Sequence, residues 1–554
     1  MSNMPAQTPP EAVSRGSARA RLSASSLTSW LRCQKQWFTR YKLGLRSPLR
    51  PRQVLGILVE DALCGLAMER VGSAGNGFLK FHDLEDETTA CEIDSLDDIK
   101  DWILEKVPAS AALVLKLGAE EFAESMWKKG DWEEVLVEEV EQMLRSGCEF
   151  ILEEVSNCHA AGEGQHVFSI PAPCWEMPPH FPLPHKVNSR LKWPDSPYQM
   201  GDEMTWADAW EIARPWVKDP RCFQPQRMYH SDRWAAGECD LVLRWDGNIR
   251  IVDIKIGTSD SPFSSSIDDQ LNFYSWLWNE THEEKCSGLE GWFLSGSERK
   301  IVEITDISSA ELQAIHKQMK SYPVSTALPL SEPCVAEAGC YWCSLTEMEY
   351  SAVVIESPCE SISSIPNRVN VRGVIQGAWG PLPNHFGEMV LGAMIQAGEK
   401  RVTLEEASPD DYPEMHKHPN GEVIIESALP GVWRRQPRLY LDGESKIVEK
   451  SDLEITRMGM LRTKANVEGR IISCGSRTGK RMDGRPWMML GFHIWDGTDA
   501  VECVAFGSSI NQITLALRPG DHIKLISADL GWRDGLVQLR IDSRTTRIEI
   551  VGKD

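Results

Sequence analysis

The chain has 554 residues, 42% hydrophobic and 25% charged, with a formal net charge of −22. That length exceeds one ordinary core and implies two to four domains of a soluble globular protein. No run of about 18 apolar residues reads as a membrane span, the N-terminus lacks the apolar stretch of a secretory signal, and the acidity excludes wholesale coating of nucleic acid while allowing a local basic groove.

Residues 1–20 are rich in Ser, Pro and Ala and read as a disordered leader. The segment from Ala12 to Val59 holds ten Lys or Arg and no acid, whereas 84–106 and 119–154 are strongly acidic. This asymmetry permits an anionic ligand near the N-terminal segment, and equally a basic solvated helix. LSASSLTSWLRCQKQWFTRYKLGL (22–45) offers a helix cap at Ser25 or Ser26, then Leu27, Trp30, Leu31, Trp37, Phe38 and Tyr41 at helical spacing. GILVEDALCGLAMERV (56–71) is a second helix with Leu58, Ala62, Leu63, Leu66 and Ala67 on its apolar side. Residues 21–72 thus form an N-terminal helical part. Residues 73–225, acidic helices followed by a Pro- and Trp-rich stretch, read as a helical or irregular insertion.

GECDLVLRWDGNIRIVDIKIG (237–257) is two strand-like runs around a turn at Asp246-Gly247-Asn248. Alternation puts Asp240, Val242 and Arg244 on one face of the first strand, and Ile251, Asp253 and Lys255 on one face of the second. Pairing then brings Asp240 close to Asp253 and Lys255. Buried unpaired charge is costly, so the cluster needs a partner. One reading is an ordinary Asp253–Lys255 ion pair. The other is a Mg²⁺ or Mn²⁺ site, for which carboxylate oxygens are suited, with the lysine steadying developing negative charge. A helix at 268–280, strands in GWFLSGS and KIVEI (291–305) and a helix at 308–321 follow, so 226–350 reads as a catalytic core plus a cysteine-bearing segment.

The G-x-x-D and D-x-K pair resembles the PD-(D/E)xK nuclease superfamily, and specifically its RecB-type exonuclease branch. SASSLTSWLRCQKQWFTRY resembles the N-terminal S-x-S-x-L…C motif of that branch, Gly56-Ile57-Leu58-Val59-Glu60 stands where it has G-x-x-[hydrophobic]-His, and Gln270-Leu271-Asn272-Phe273-Tyr274 matches its Q-x-x-x-Y motif. The resemblance spans residues 23–274. It implies an α/β restriction-endonuclease-like core, Asp240 and Asp253 as metal ligands, Lys255 as the catalytic lysine, Gln270 and Tyr274 beside the site, and Glu60 in the place of a metal-binding histidine. A solvated helix carboxylate is the other reading of Glu60.

Cys334-x5-Cys340-x2-Cys343 forms a metal-like cluster within a chain of 15 cysteines, and without a signal peptide that usage fits a reducing, cytoplasmic compartment. Relatives that carry an iron–sulfur cluster, the AddB nuclease and the CRISPR-associated RecB-like exonucleases, use one N-terminal and three C-terminal cysteines. Cys33 lies at the N-terminal position. By that resemblance Cys33, Cys334, Cys340 and Cys343 hold a structural 4Fe–4S cluster. Glu349 stands about where the last cysteine of the usual spacing falls, and Zn²⁺ suits four thiolates equally. Cys64, Cys239 and Cys286 read as buried thiols.

After Pro358 the sequence becomes β-rich, and VNVRGVI (369–375) and ANVEGRI (465–471) begin two blocks alike. Residues 460–554 resemble a nucleic-acid-binding OB-fold, with Arg470, Arg477, Lys480, Arg481, Trp487, Phe492 and Phe506 as candidate contacts. Aromatics filling the barrel and solvated loop charges are the alternative for each. Residues 366–450 read as a second OB-like barrel, degraded or elaborated. GSRTGK (475–480) reads as a basic β-turn, since its glycines lack the four-residue spacing of a Walker A loop. A helicase would therefore be a separate partner, as would another repair protein, and no membrane partner is expected. The combined expectation is a metal-dependent DNA exonuclease acting on single-stranded ends in repair, recombination or defence. The alternatives are an inactive or partner-dependent single-strand-binding scaffold and an RNA-directed nuclease.

Overall fold

The computed structural model describes residues 21–45, 48–69, 71, 93–125, 128–162, 204–217, 227–230, 232, 234–246, 248–260, 266–282, 285–322, 358–365, 368–383, 389–409, 411–412, 415–417, 421–433, 436–480, 486–533 and 535–551. The chain divides into two compact units, one containing Arg21–Thr28 and Leu49–Ala314, the other Ser29–Pro48 and Ile315–Asp554. Among the described residues no helix is long and apolar enough to cross a membrane.

Helix α1 (Ala24–Arg32) starts earlier than the sequence suggests. Its cap is Ser23, whose Oγ accepts from Ser26 N–H at 3.3 Å while Ser26 Oγ accepts from Ser23 N–H at 3.0 Å. Leu31 is turned to solvent rather than onto the apolar side. The short α2 (Gln34–Trp37) follows. Helix α3 (Pro51–Met68) has proline in its first turn, where a missing N–H costs nothing, and buries Val54, Leu55, Leu58, Val59, Ala62 and Leu63. Helices α5 (Val107–Glu124) and α6 (Val137–Gly162) pack against it, and α4 (Leu96–Glu105) and α7 (Trp206–Ala213) pack against α6.

The first unit's sheet contains β1 (Trp216–Val217), β4 (Leu241–Leu243), β5 (Ile249–Lys255), β6 (Cys286–Phe293) and β7 (Glu298–Val302), in the order β1-β4-β5-β6-β7. A small ribbon of β2 (Arg227–Tyr229) and β3 (Ala236–Glu238) precedes β4. Strands β5 and β6 are parallel, joined by helix α8 (Ser266–His282), which is what a parallel crossover requires. Helix α9 (Ser309–Lys320) comes last. Strand β6 begins at Cys286, before the expected GWFLSGS run, and Leu294–Ser297 is a turn with Ser297 in the left-handed region. The helices of 73–225 do not stand apart: Trp102, Val107, Val140 and Ile151 share one core with Leu58 and with Leu243, Val252 and Trp292 of the sheet. Beneath that core, buried Glu154 accepts from Trp245 Nε1 at 2.7 Å, Arg250 Nη2 at 2.6 Å and Arg299 Nη1 at 3.1 Å. Burial raises its pKa, but Arg250 and Trp245 outweigh that and hold it below the usual range.

The second unit contains two barrels of one topology. The first uses β8 (Val369–Pro383), β9 (Met389–Ala397), β10 (Lys400–Ala407), β11 (Glu422–Trp433), β12 (Gln436–Tyr440) and β13 (Lys446–Val448). The second uses β14 (Lys464–Lys480), β15 (Pro486–Trp495), β16 (Ala500–Phe506), helix α10 (Gln512–Ala516), β17 (His522–Arg533), β18 (Leu536–Ile541) and β19 (Arg547–Ile550). In each, the first strand pairs with the second and the fourth, the third runs parallel to the fifth, and a sixth strand flanks the fourth. This is the closed five-stranded OB-fold. The block 366–450, the weaker expectation, is thus as regular as 460–554. GSRTGK is not a turn: β14 runs on to Lys480.

Gly373 and Gly469 hold equivalent places in the two first strands, where backbones approach closely. A Cβ on Gly373 would lie 2.7 Å from Gln396 O, and one on Gly469 would lie 2.6 Å from Trp495 O. Gly373→Ala and Gly469→Ala are each expected to destabilise their barrel by about 1–3 kcal/mol, read as a lowered thermal midpoint. An unchanged midpoint would mean the strands have room to part.

Candidate active site and nucleic-acid interface

The antiparallel register Leu241↔Val252, Val242↔Ile251 sets Asp240, just before β4, opposite Asp253 on β5. Asp240 Oδ2 accepts from Ile254 N–H at 2.8 Å. Asp253 is 1% exposed. Its Oδ1 accepts from Gln270 Nε2 at 2.8 Å, and its Oδ2 forms an ion pair with Lys255 Nζ and has no further hydrogen-bond partner among the described residues. Gln270 and Tyr274 lie one turn apart on α8, so Gln270 Nε2 also reaches Tyr274 OH at 3.3 Å. Tyr274 leans on Gly237 of β3, where a Cβ would come within 3.0 Å of its ring. Gly237 opens the G-x-x-D pattern, and that motif is the sequence signal for its role. Glu60 on α3 is near enough for its charge to act on Lys255.

Burial pushes the Asp253 carboxyl up to about 6, with Lys255 opposing and Asp240 reinforcing the shift. Burial alone would lower the Lys255 ammonium, but Asp253 and Asp240, with Glu60 beyond, hold it above its ordinary value. Burial, then Asp253 and Asp240, drive the Tyr274 hydroxyl well up, so it stays protonated at neutral pH. Lys255 is thus a fixed cation, and Asp253 a carboxylate whose charge is costly without a further positive partner.

Two carboxylates, one with a buried oxygen supported by a lysine, fit Mg²⁺ or Mn²⁺. Such ions take one or two protein carboxylates and complete their shell with water and phosphate oxygens. Glu60 does not join them in a preformed cage: among the described residues no group of three or more His, Cys, Asp or Glu side chains is placed to hold an ion. It projects from α3, whereas the aspartates share the β4–β5 hairpin.

Of the four cluster cysteines, Cys334, Cys340 and Cys343 lie outside the described residues. Cys33 stands in the break between α1 and α2, where its Sγ accepts from Gln36 N–H at 3.4 Å. Tyr322, the last described residue before that segment, packs edge-on against Trp30 at 5.3 Å and Trp37 at 6.0 Å, and obliquely against Phe38. Tyr322, at the end of the described stretch, is therefore held against the helical residues that flank Cys33. Cys64, Cys239 and Cys286 are buried free thiols.

On the second barrel, alternation separates the candidates. Phe492 is fully buried between Leu490 and Ile494 in the barrel interior, so it cannot stack on a base. Arg477, Met489 and Phe506 form one row across β14, β15 and β16, with Phe506 half exposed. Trp487 lies over Gly479 on the neighbouring strand. Arg470 is at the other end of the hairpin, opposite Trp495 and His522. Lys480 ends β14, and Arg481 lies outside the described residues.

No protein-family profile matches the chain. No curated protein matches it either. Several solved structures are similar over part of it. A replication protein A heterotrimer bound to single-stranded DNA aligns at 13% identity over 34% of this chain and 51% of its own, with a TM-score of 0.14. This chain therefore spans about half of that one. An OB domain from Thermoplasma acidophilum aligns at 21% identity over 19% of this chain and 84% of its own, with a TM-score of 0.14. The second OB-fold domain of replication protein A from Methanococcus maripaludis aligns at 14% identity over 16% and 86%, also with a TM-score of 0.14. The OB assignment of both barrels rests on their own strand order and pairing.

The raised Asp253 value has a definite sign. The folded state favours the protonated carboxyl, so this contribution to stability is complete below about pH 4 and is lost as pH rises through about 6. Lys255 stays charged throughout that window. In metal-free protein, Asp253→Asn is expected to shrink the fall in unfolding free energy between pH 4 and 7 by on the order of 2 kcal/mol. Urea titrations of both proteins would show it, and identical pH profiles would contradict it.

Proposed function

We propose that this protein is a metal-dependent nuclease that hydrolyses phosphodiesters, with its OB barrels binding the nucleic acid. The observation that carries the reading is the convergence of Asp240, Asp253 and Lys255 at one end of a buried hairpin, where an apolar core would be more stable. Asp240 and Asp253 would hold Mg²⁺ or Mn²⁺, which when bound polarises a phosphoryl oxygen and acidifies water. The chain's own groups do the rest. Gln270 fixes the Asp253 carboxylate through Oδ1, leaving Oδ2 toward the site. The Lys255 ammonium, kept charged, faces the charge that grows on the phosphoryl oxygens. Protonated Tyr274 holds Gln270 in place. Water adds to phosphorus, a P–O ester bond breaks, and the departing oxygen takes up a proton.

Single-stranded DNA is the favoured substrate, since OB barrels bind unpaired strands by stacking and charge. The cysteines extend the reading: Cys33, with Cys334, Cys340 and Cys343, would hold a 4Fe–4S cluster that ties the segment after Tyr322 to the Cys33 helices. Zinc would serve the same structural purpose.

Degradation of end-labelled single-stranded DNA by anaerobically purified protein with Mn²⁺ tests the reading. Asp253→Ala is expected to abolish cleavage, and Lys255→Ala to cut it by about 10²–10³-fold. Cleavage that survives in Asp253→Ala would place the chemistry elsewhere. No cleavage of DNA by folded, metal-loaded wild type would favour an RNA substrate or a binding scaffold, and the same assay on labelled RNA separates these. Elemental analysis of the purified protein is expected to give iron with sulfide, lost in Cys33→Ser. Zinc in their place would identify the other metal, and no metal would remove the cluster from the account.

A further inference from the structure

The two barrels share a topology but not a surface. Gly373 and Gly469 are equivalent by their close approaches. Beyond them both first strands shift register at the same place, between Ile375 and Gly377 and between Ile471 and Ser473. Trp379 in the first barrel therefore corresponds to Gly475 in the second, and their cross-strand partners, Gly392 and Gly491, correspond as well. The Trp379 indole lies over Gly392, where a Cβ would come within 2.4 Å of the ring. In the second barrel the same place is bare. A Cβ on Gly475 would meet nothing within 4 Å, and one on Gly491 would meet only Met489 Cε at 3.9 Å and Gly475 O at 4.0 Å.

Charge divides the hairpins in the same way. Residues 373–399 contain no Lys or Arg and two glutamates, Glu388 and Glu399. Residues 470–485 contain Arg470, Arg477, Lys480, Arg481 and Arg485 against a single acid, Asp483. A polyanion gains from counterion release only where cations meet its phosphates. Beside the bare place stands the Arg477–Met489–Phe506 row, a guanidinium on β14 and an aromatic face on β16 with β15 between them. A planar base needs such a face and a floor without side chains.

We propose that the barrels have divided their roles, and that single-stranded nucleic acid lies on the second barrel alone. A base would rest over Gly475 and Gly491 against Phe506, with the phosphates toward Arg477. Trp379 fills the corresponding place in the first barrel, whose hairpin, with two glutamates and no Lys or Arg, makes no phosphate contact. Stacking on an aromatic face and contact with phosphates read no base edges, so binding is tolerant of sequence. The inference rests on the barrels being nucleic-acid modules.

The test is fluorescence anisotropy of a labelled oligo(dT) with the full chain, without added divalent metal. Gly475→Trp copies the first barrel into the second, and Phe506→Ala removes the aromatic face without adding bulk. Each is expected to weaken binding by about tenfold or more, with thermal midpoint and circular dichroism unchanged, while Trp379→Ala stays within about twofold of wild type. Unchanged affinity in both Gly475→Trp and Phe506→Ala would overturn the inference while leaving the nucleic-acid reading intact. So would a loss in Trp379→Ala as large as theirs. Wild-type protein that binds no oligonucleotide would instead overturn the reading of the barrels themselves.

Discussion

The first unit depends on how one carboxylate is kept charged inside a sheet. Asp253 is buried on the strand that pairs with both β4 and β6. Water cannot stabilise it there, so the protein supplies an amide from Gln270 on one oxygen and an ammonium from Lys255 on the other. This is incomplete compensation, as the raised pKa records. A second carboxylate, Asp240, is fixed beside it by a backbone amide and makes the ionised state costlier still. A structural ion pair would gain from omitting Asp240. A divalent-cation site would use both.

The rest of the unit can be understood as support for that hairpin. The parallel β5–β6 pair requires a crossover, and α8, which supplies it, also carries Gln270 and Tyr274 to the aspartates. Helix α3 lies close enough to bring Glu60 within electrostatic range of Lys255. On the far side, Glu154 gathers Trp245, Arg250 and Arg299, a buried network in which every charge has a partner. The contrast is informative: within one core the chain neutralises one carboxylate fully and leaves another under-compensated.

Much of this was legible in the sequence because strand periodicity is strict. Alternation and the hairpin turn bring Asp240 near Asp253 and Lys255, though the register that sets Asp240 opposite Asp253 comes from the strand pairing, and the Q-x-x-x-Y spacing puts Gln270 and Tyr274 on one helix face. What was not legible needed tertiary information. The cap of α1 moved to Ser23 because several serines compete and only pairing selects one. Phe492 was read as a possible contact, yet its parity with Leu490 and Ile494 turns it inward. Residues 73–225 looked like an insertion, since nothing in a helical pattern says which core it joins. The likeness of VNVRGVI to ANVEGRI did foretell the paired barrels, but the difference between Trp379 and Gly475 emerges only once the strands are in register.

The central claim is that the Asp240–Asp253 pair is built to receive a divalent cation. Titration of Mn²⁺ into metal-free protein at pH 7.5, followed by the loss of the free-ion electron paramagnetic resonance signal, tests it most directly. The account predicts saturable binding that weakens as pH falls through about 6, where protons compete for Asp253, and that disappears in Asp253→Asn. Binding that is absent in wild type, or that persists unchanged in the variant, would contradict it and leave the hairpin as an ion pair with a neighbouring acid.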